Sequence, residues 1–368
     1  MRIAFFSDTY LPNIDGVVSS IISFKKELNS NGNYVGVLAP GAKTMKTKDV
    51  FLYRSIPFPP YPQYRIALGF DPIIDFKRNG FDVVHCHGVA SMGLNAIISS
   101  KLFKKPSVAT FHTMLPLATS YLSENSTLQN FFTDFSWKAI KPFYNSFNTT
   151  LAPSLVIKKA LEEHGVQNTQ VLSNGVDLEV FKPGSTNLKK KLGLNGKVVL
   201  FSGRMTKEKN IDVVIKAIPL ISKRINSSFL FVGDGPELEK LKLKSKGMKN
   251  VFFTGMVPHS QITSYINACD VSVSASTFET FGLSLLESMA CGKPVVGADS
   301  LAIPEFVSEK NGGLFEPYNH EELSEKVVEI LSNSKKYKSK SMEALKTAEK
   351  FSIKKQTKKL ERIYEKII

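Results

Sequence analysis

Two carboxylates stand eight positions apart, Glu279 and Glu287, in the stretch "FETFGLSLLESMACGKPVV". Glu279 falls in the loop that should follow the apolar run "DVSVSAS", and Glu287 about one turn into a helix opening at "LSLLESMA". A helix start between them would offer the backbone N–H groups of Phe281 and Gly282 to an anion. A carboxylate accepts two hydroxyl hydrogen bonds, so the pair suits a ribose diol on one side of a phosphate and the hydroxyls of a second sugar on the other. Plain complementation of the helix dipole would account for Glu279 but poorly for Glu287 in an apolar helix. A second pair, Arg204 and Lys209 in "SGRMTKEKNID", leaves a strand toward a helix start. The fork of one and the point charge of the other could clamp a diphosphate, and an ordinary charged surface loop is the bland alternative.

The first half of the chain carries weaker signals. Gly16 in "SDTYLPNIDGVV" opens a helix where a backbone without a side chain can approach a phosphate, although a turn needs a glycine equally often. His112 in "TFHTMLP" sits at a strand end, where loop residues tend to be functional. His85 and His87 in "VVHCHG" have a metal-pair spacing but no evident third ligand, so a structural or lining role is expected and no metal. "VGDGPE" fails the GxGxxG pattern, which argues against hydride transfer with a dinucleotide.

These loops must be held by strands and helices. Short β-branched runs alternate with helical patterns, which predicts α/β layers with parallel sheets. "RIAFFSD", "YVGVLAP", "DVVHCHG", "PSVATFH" and "TTLAPS" read as strands of one doubly wound unit. "KVVLFSG", "SFLFVGDG", "NVFFTGMV", "DVSVSAS" and "KPVVGAD" read as a second, with helices starting near Asn210, Pro236, Ser260 and Ser284. At 368 residues two domains with a cleft between them are expected. The hinge is placed near 172–186, the domains at 1–178 and 179–351, and a basic amphipathic helix at 352–368 is free to pack back on the first domain. Cys86, Cys269 and Cys291 are widely spaced in apolar surroundings, which suits a reducing cytoplasm. No apolar run approaches the roughly 20 residues of a membrane span, and Asp8 interrupts the position of a signal peptide's apolar region. A net charge of +15, spread over both halves, invites an anionic partner. No nucleic-acid-binding motif accompanies it, so nucleic acid is not expected.

The ensemble resembles the family-4 retaining glycosyltransferases, whose GT-B arrangement sets two Rossmann-like domains across a cleft. "FSDTYLPNIDGVVSSI", "DVVHCHG", "TFHTMLP", "LSNGVDLEVFKP", "SGRMTKEKNID", "VGDGPE" and "FETFGLSLLESMACGKPVV" fall in that family's order, and the last is similar to its Glu-x7-Glu motif. The resemblance implies that Arg204 and Lys209 bind the diphosphate of a nucleotide-sugar donor, UDP- or GDP-linked, and that Glu287 holds its ribose. It implies that Glu279 contacts the transferred hexose beside the amides of Phe281 and Gly282, with the base near Met256 and Val257. His112 and Gly16 would line the reaction site from the first domain. No cofactor or metal is implied, the cations and helix dipoles standing in for one. The opening motif is also similar to that of glycerolipid glucosyltransferases and phosphatidylinositol mannosyltransferases, which implies a membrane lipid or lipid-linked glycan as acceptor, a soluble glycan or sugar-phosphate being the alternative. A same-fold epimerase fits the Glu-x7-Glu region less well, and a binding protein without catalysis would not need every reaction-site position filled.

A lipid acceptor implies peripheral attachment to an anionic surface on the inner face of the cell membrane. Two segments combine cations with aromatics: Lys101, Lys104 and Lys105, and then Phe131, Phe132, Trp137, Lys138, Lys141, Phe143 and Tyr144. The same aromatic spacing also fits the core face of an ordinary helix.

Overall fold

In a computed structural model of the chain, residues 1–13, 15–42, 44–58, 61–114 and 126–368 are described, with the backbone alone for 61–64 and 126–132. The chain divides into two units, Met1–Gly175 together with Ile353–Ile368, and Val176–Ser352. The C-terminal helix Ile353–Ile367 therefore belongs to the first unit.

The first unit is built on a sheet ordered Met45–Lys46, Val50–Phe58, Tyr34–Gly41, Arg2–Phe6, Val83–Cys86, Ser107–Thr110, Thr149–Ala152 and Thr169–Val171. Val50–Phe58 pairs antiparallel with both Met45–Lys46 and Tyr61–Ala67, and the other pairings are parallel. The parallel strands are buried on both faces, which is why they read as unbroken apolar runs. The Tyr61–Ala67 strand and its partner were not foreseen, because the prolines at 57, 59, 60 and 62 argue against strand structure anywhere but an edge.

The second unit repeats the scheme with six parallel strands in the order Val251–Phe253, Ser227–Val232, Lys197–Ser202, Val271–Ser274, Val295–Ala298 and Gly312–Phe315. Helices Ile211–Ser222, Leu238–Lys244, His259–Ala268 and Leu283–Ala290 begin within two residues of the positions expected from the sequence. In both units the order reverses beside the first strand, next to Val83–Cys86 in one and Val271–Ser274 in the other. A parallel α/β sheet binds ligands outside the carboxyl ends of its strands at such a reversal.

The helix Ser126–Tyr144 corrects one expectation. Trp137 is 8% exposed and lies flat on His164 with 3.8 Å between ring centroids, and Tyr144 is 3% exposed. Their side chains fill the core, so they are unavailable for insertion into a membrane. Lys138 and Lys141 are on the exposed side, and the side chains of Phe131 and Phe132 lie outside the described residues.

The C-terminal helix buries Leu360, Ile363 and Tyr364 in one cluster with Ile3, Phe5, Val18, Ile21 and Val35. Each such side chain contributes about 1.5–3 kcal/mol when fully buried. Tyr364 adds a polar tie, its hydroxyl lying 2.6 Å from Nδ1 of the buried His85, whose Nε2 lies 2.7 Å from Oγ1 of Thr110. Tyr364→Phe strands a buried ring nitrogen and should cost about 1–3 kcal/mol. Trp137 is the only tryptophan and reports this unit's unfolding in urea, so an unchanged fluorescence midpoint in that variant would refute the tie.

Candidate active site

In the second unit the loops leaving the two strands at the reversal carry the charged residues. Lys209 ends a short 3-10 turn, Lys207–Lys209, after Lys197–Ser202, and Glu279 lies in the loop after Val271–Ser274. Their side chains form an ion pair, Lys209 Nζ to Glu279 Oε1 at 2.6 Å, with 19% and 16% of each exposed. Arg204 stands on the same loop as Lys209 with its side chain exposed. "VGDGPE" braces that loop. Asp234 O accepts from Met205 N at 2.8 Å, and Glu237 N donates to Met205 O at 2.9 Å. A Cβ on Gly233 would lie 1.9 Å from Gly203 O, so only glycine allows this approach.

The loop bearing Glu279 is held from its far side as well. Ser300 Oγ donates to Thr277 O at 3.2 Å and Ala302 N to Glu279 O at 3.3 Å. Phe281 is buried against Phe306 and Phe351 and anchors the entry to Leu283–Ala290. Gly282 caps that helix at φ 94°, where a Cβ would stand 2.6 Å from Ile303 Cδ1. Backbone N–H groups at a helix start lack intrahelical acceptors, so this one is suited to an anion.

Glu287, 9% exposed, lies within the same helix. Its Oε1 is 3.8 Å from Nε2 of His259, the first residue of His259–Ala268. The Glu287 carboxylate beside it raises the His259 pKa above its usual value, against burial, which lowers it. The sequence reading missed His259, since a single histidine after "VP" carries no spacing signal. Met256 is exposed and Val257 half-buried, both in the segment after Val251–Phe253. Among the described residues no group of three or more His, Cys, Asp or Glu is placed to hold a metal ion.

In the first unit the loops at the reversal hold the half-buried carboxylate of Asp8 and the ring of His87, and His112 lies on the loop one strand further along. Asp8 accepts from Ala90 N at 2.7 Å and Met92 N at 2.8 Å, fixing the start of the helix Ser91–Leu102. His87 Nδ1 lies 2.9 Å from His112 Nε2, and the rings are stacked with centroids 5.2 Å apart. The sequence predicts a structural or lining role for His87, and the fold sets it directly against His112. Gly16 begins the helix Gly16–Ser30 with open space on its side-chain face, and the Asp15 carboxylate already accepts from Val18 N.

Burial lowers all three histidines, His85 to about 3, His112 to about 4 and His87 well below its usual value. Each is neutral near pH 7, able to hydrogen-bond a hydroxyl but not to offset a phosphate charge. Unfolding frees them to protonate near 6.5, so their contribution is present above that pH and is lost as the pH falls toward 4. Asp8, whose pKa burial raises, works in the opposite sense, one group against three. The Trp137-reported melting temperature should therefore fall between pH 7 and pH 5, on the order of several degrees. A flat profile would mean that the three rings are charged in the folded protein.

Comparison with known proteins agrees with this fold. Residues 14–180 match the family model described as Glycosyltransferase Family 4, and residues 185–347 match that described as Glycosyl transferases group 1. The chain is 30% identical over 355 residues to an alpha-monoglucosyldiacylglycerol synthase of Streptococcus pneumoniae, covering 90% of this chain and 78% of that one. It is 27% identical over 342 residues to a GDP-mannose-dependent alpha-mannosyltransferase of Corynebacterium glutamicum, covering 85% and 76%. In fold it is similar to the sucrose-phosphate synthase of Thermosynechococcus elongatus, with a TM-score of 0.81 at 18% identity, covering 99% of this chain and 98% of that one. Two Rossmann-like units, both family matches and a 30%-identical relative that matches nine-tenths of this chain place it in glycosyltransferase family 4, as a hexosyltransferase of the GT-B fold.

Proposed function

We propose that the chain moves a hexose from a nucleotide sugar to a membrane lipid, with retention of anomeric configuration. The observation that carries the donor side is the Lys209–Glu279 pair at the sheet reversal, beside a glycine-opened helix start and with Glu287 one turn further on. Arg204 and Lys209 take the donor diphosphate, Glu287 the ribose and Glu279 the transferred hexose, while main chain at Met256 and Val257 meets the base. In the first unit His112 is assigned to the hexose, and the backbone at Gly16 is left open for close approach.

In this reading the bond from the anomeric carbon to the diphosphate breaks as the acceptor oxygen bonds to the same carbon from the same face. The acceptor proton passes to an oxygen of the departing diphosphate. No side chain is then needed as a strong base, and Glu279 is not a covalent nucleophile. The cations and backbone N–H groups offset the charge that builds on the leaving group, and no metal is invoked. Lys209→Ala and Arg204→Ala should each lower turnover about a hundredfold. Glu287→Ala should weaken nucleotide affinity as well as transfer, whereas Glu279→Ala should spare affinity. Near-normal turnover in both cation variants would remove the clamp, and equal loss of affinity in both glutamate variants would reverse their roles. Release of free nucleotide in step with a heavier acceptor separates transfer from epimerisation and from simple binding.

The lipid acceptor is supported by the 30%-identical relative, an alpha-monoglucosyldiacylglycerol synthase, and by the surface of the first unit. Among the described residues no helix is long and apolar enough to cross a membrane. Ile56 and Phe58 on the strand Val50–Phe58, Leu68 and Phe70 in the connection before the helix Asp71–Arg78, and Ile74 on that helix are nonetheless exposed, as are Arg54, Lys77 and Arg78. Exposed apolar side chains with cations in the same segments suit peripheral, reversible attachment to an anionic lipid surface, and each cation near such a surface is worth about 1 kcal/mol. The protein should sediment with phosphatidylglycerol vesicles at low salt, and Phe70→Ser with Ile74→Ser should release it while Lys138→Ala with Lys141→Ala changes little. Absence of binding at low salt would favour a soluble glycan or sugar-phosphate acceptor.

A further inference from the structure

Asn210 separates the turn carrying Lys209 from the helix Ile211–Ser222, and it stands at that helix's N-cap. Asparagine at such a position ordinarily turns its side chain back to accept from the first free N–H groups of the helix. Here it makes no such bond. Its Nδ2 instead donates to Ala275 O at 3.2 Å and to Thr277 Oγ1 at 3.1 Å, on the loop that leads to Glu279. Ala275 O can only accept, so the amide nitrogen must face it. The backbone of Asn210 is left-handed, φ 47° and ψ 40°, a conformation that glycine adopts without strain and asparagine tolerates.

A second tie runs beside the first. The fully buried Ser276 donates from Oγ to Glu208 O at 3.3 Å and accepts from Phe278 N at 3.3 Å. The two loops are thus joined residue by residue just behind the point where Lys209 and Glu279 meet. Backbone conformation alone would be served at least as well by glycine; the carboxamide is what spans the gap.

We propose that Asn210 is a positioning residue for sugar transfer: its carboxamide bridges the loop of Lys209 to the loop of Glu279 and sets the distance and direction of that pair. The inference rests on the assignment of Lys209 and Glu279 to the donor site. It adds the group that registers the two loops against each other. Misplacement of a reacting group by about 1 Å can cost on the order of a hundredfold in rate without any contact to substrate being removed.

The test compares Asn210→Gly, which keeps the left-handed backbone and removes the bridge, with Asn210→Asp, which keeps the shape and removes the donors. Both should lower kcat about tenfold or more while changing the donor KM about twofold or less, with the melting temperature nearly unchanged. In a Lys209→Ala background, Asn210→Gly should remove little further activity, because the two residues act through one interaction. Normal turnover in Asn210→Gly would show that the residue serves backbone conformation alone and would overturn the proposal. A full, additive loss on top of Lys209→Ala would overturn it too. Should the glycine variant fail to fold, the aspartate variant carries the same comparison. Normal turnover in Lys209→Ala by itself would instead sink the site assignment and this inference with it, an outcome distinct from a normal Asn210→Gly beside an impaired Lys209→Ala.

Discussion

A parallel sheet whose strand order reverses must let two of its loops diverge to opposite faces, and the ground between them is the one place on the sheet where side chains from both can converge. This constraint organises both units. In the second it brings the loop after Lys197–Ser202 against the loop after Val271–Ser274, and a lysine on one meets a glutamate on the other. In the first it brings the loop after Arg2–Phe6 against the loop after Val83–Cys86, where Asp8 holds the start of Ser91–Leu102; His87 and His112 meet across the next pair of loops, those after Val83–Cys86 and Ser107–Thr110. The same topology is filled with different chemistry, an ion pair in one unit and a capping carboxylate beside uncharged rings in the other.

The ionic pair has a consequence for anion recognition. At 2.6 Å, in a site neither dry nor open, the Lys209–Glu279 attraction exceeds that of an exposed surface pair but falls well short of the dry-interior limit. A phosphate approaching Lys209 meets a cation whose field is already partly satisfied by a carboxylate. In the proposed donor site its binding would be an exchange of partners, with the exposed Arg204 on the same loop. The backbone at Gly282 supplies donors that carry no counter-charge to displace.

Much of this was legible in the sequence because buried parallel strands are short apolar runs and the loops that interrupt them stand out. Arg204, Lys209 and Glu279 were found as charges immediately downstream of such runs, and the repeat of the pattern gave both sheets. What could not be read was direction. The aromatic spacing of Ser126–Tyr144 specifies a stripe but not what covers it, and Trp137 turned out to face His164. A carboxamide such as that of Asn210 has no periodicity, and its partners lie 65 and 67 residues away. The strand Tyr61–Ala67, with Pro62 at its second position, contradicts local propensity, and an edge position tolerates it. His259 is likewise defined only by its proximity to Glu287, which folding creates.

The placement of Ile353–Ile367 in the first unit has a bearing on synthesis. The second unit is an insertion between two parts of the first, and the crossings run side by side: Gly175 abuts Ile353, while Val176 N donates to Phe351 O. On a translating ribosome the strands of the first unit emerge before the second unit, yet the core that Leu360, Ile363 and Tyr364 complete stays open until residues 353–368 have followed it. The inserted unit, contiguous from Val176 to Ser352, is free to reach its own fold first. The nascent chain thus inverts the usual N-to-C order of domain completion, and during elongation its exposed apolar surface lies on the part that left the ribosome first.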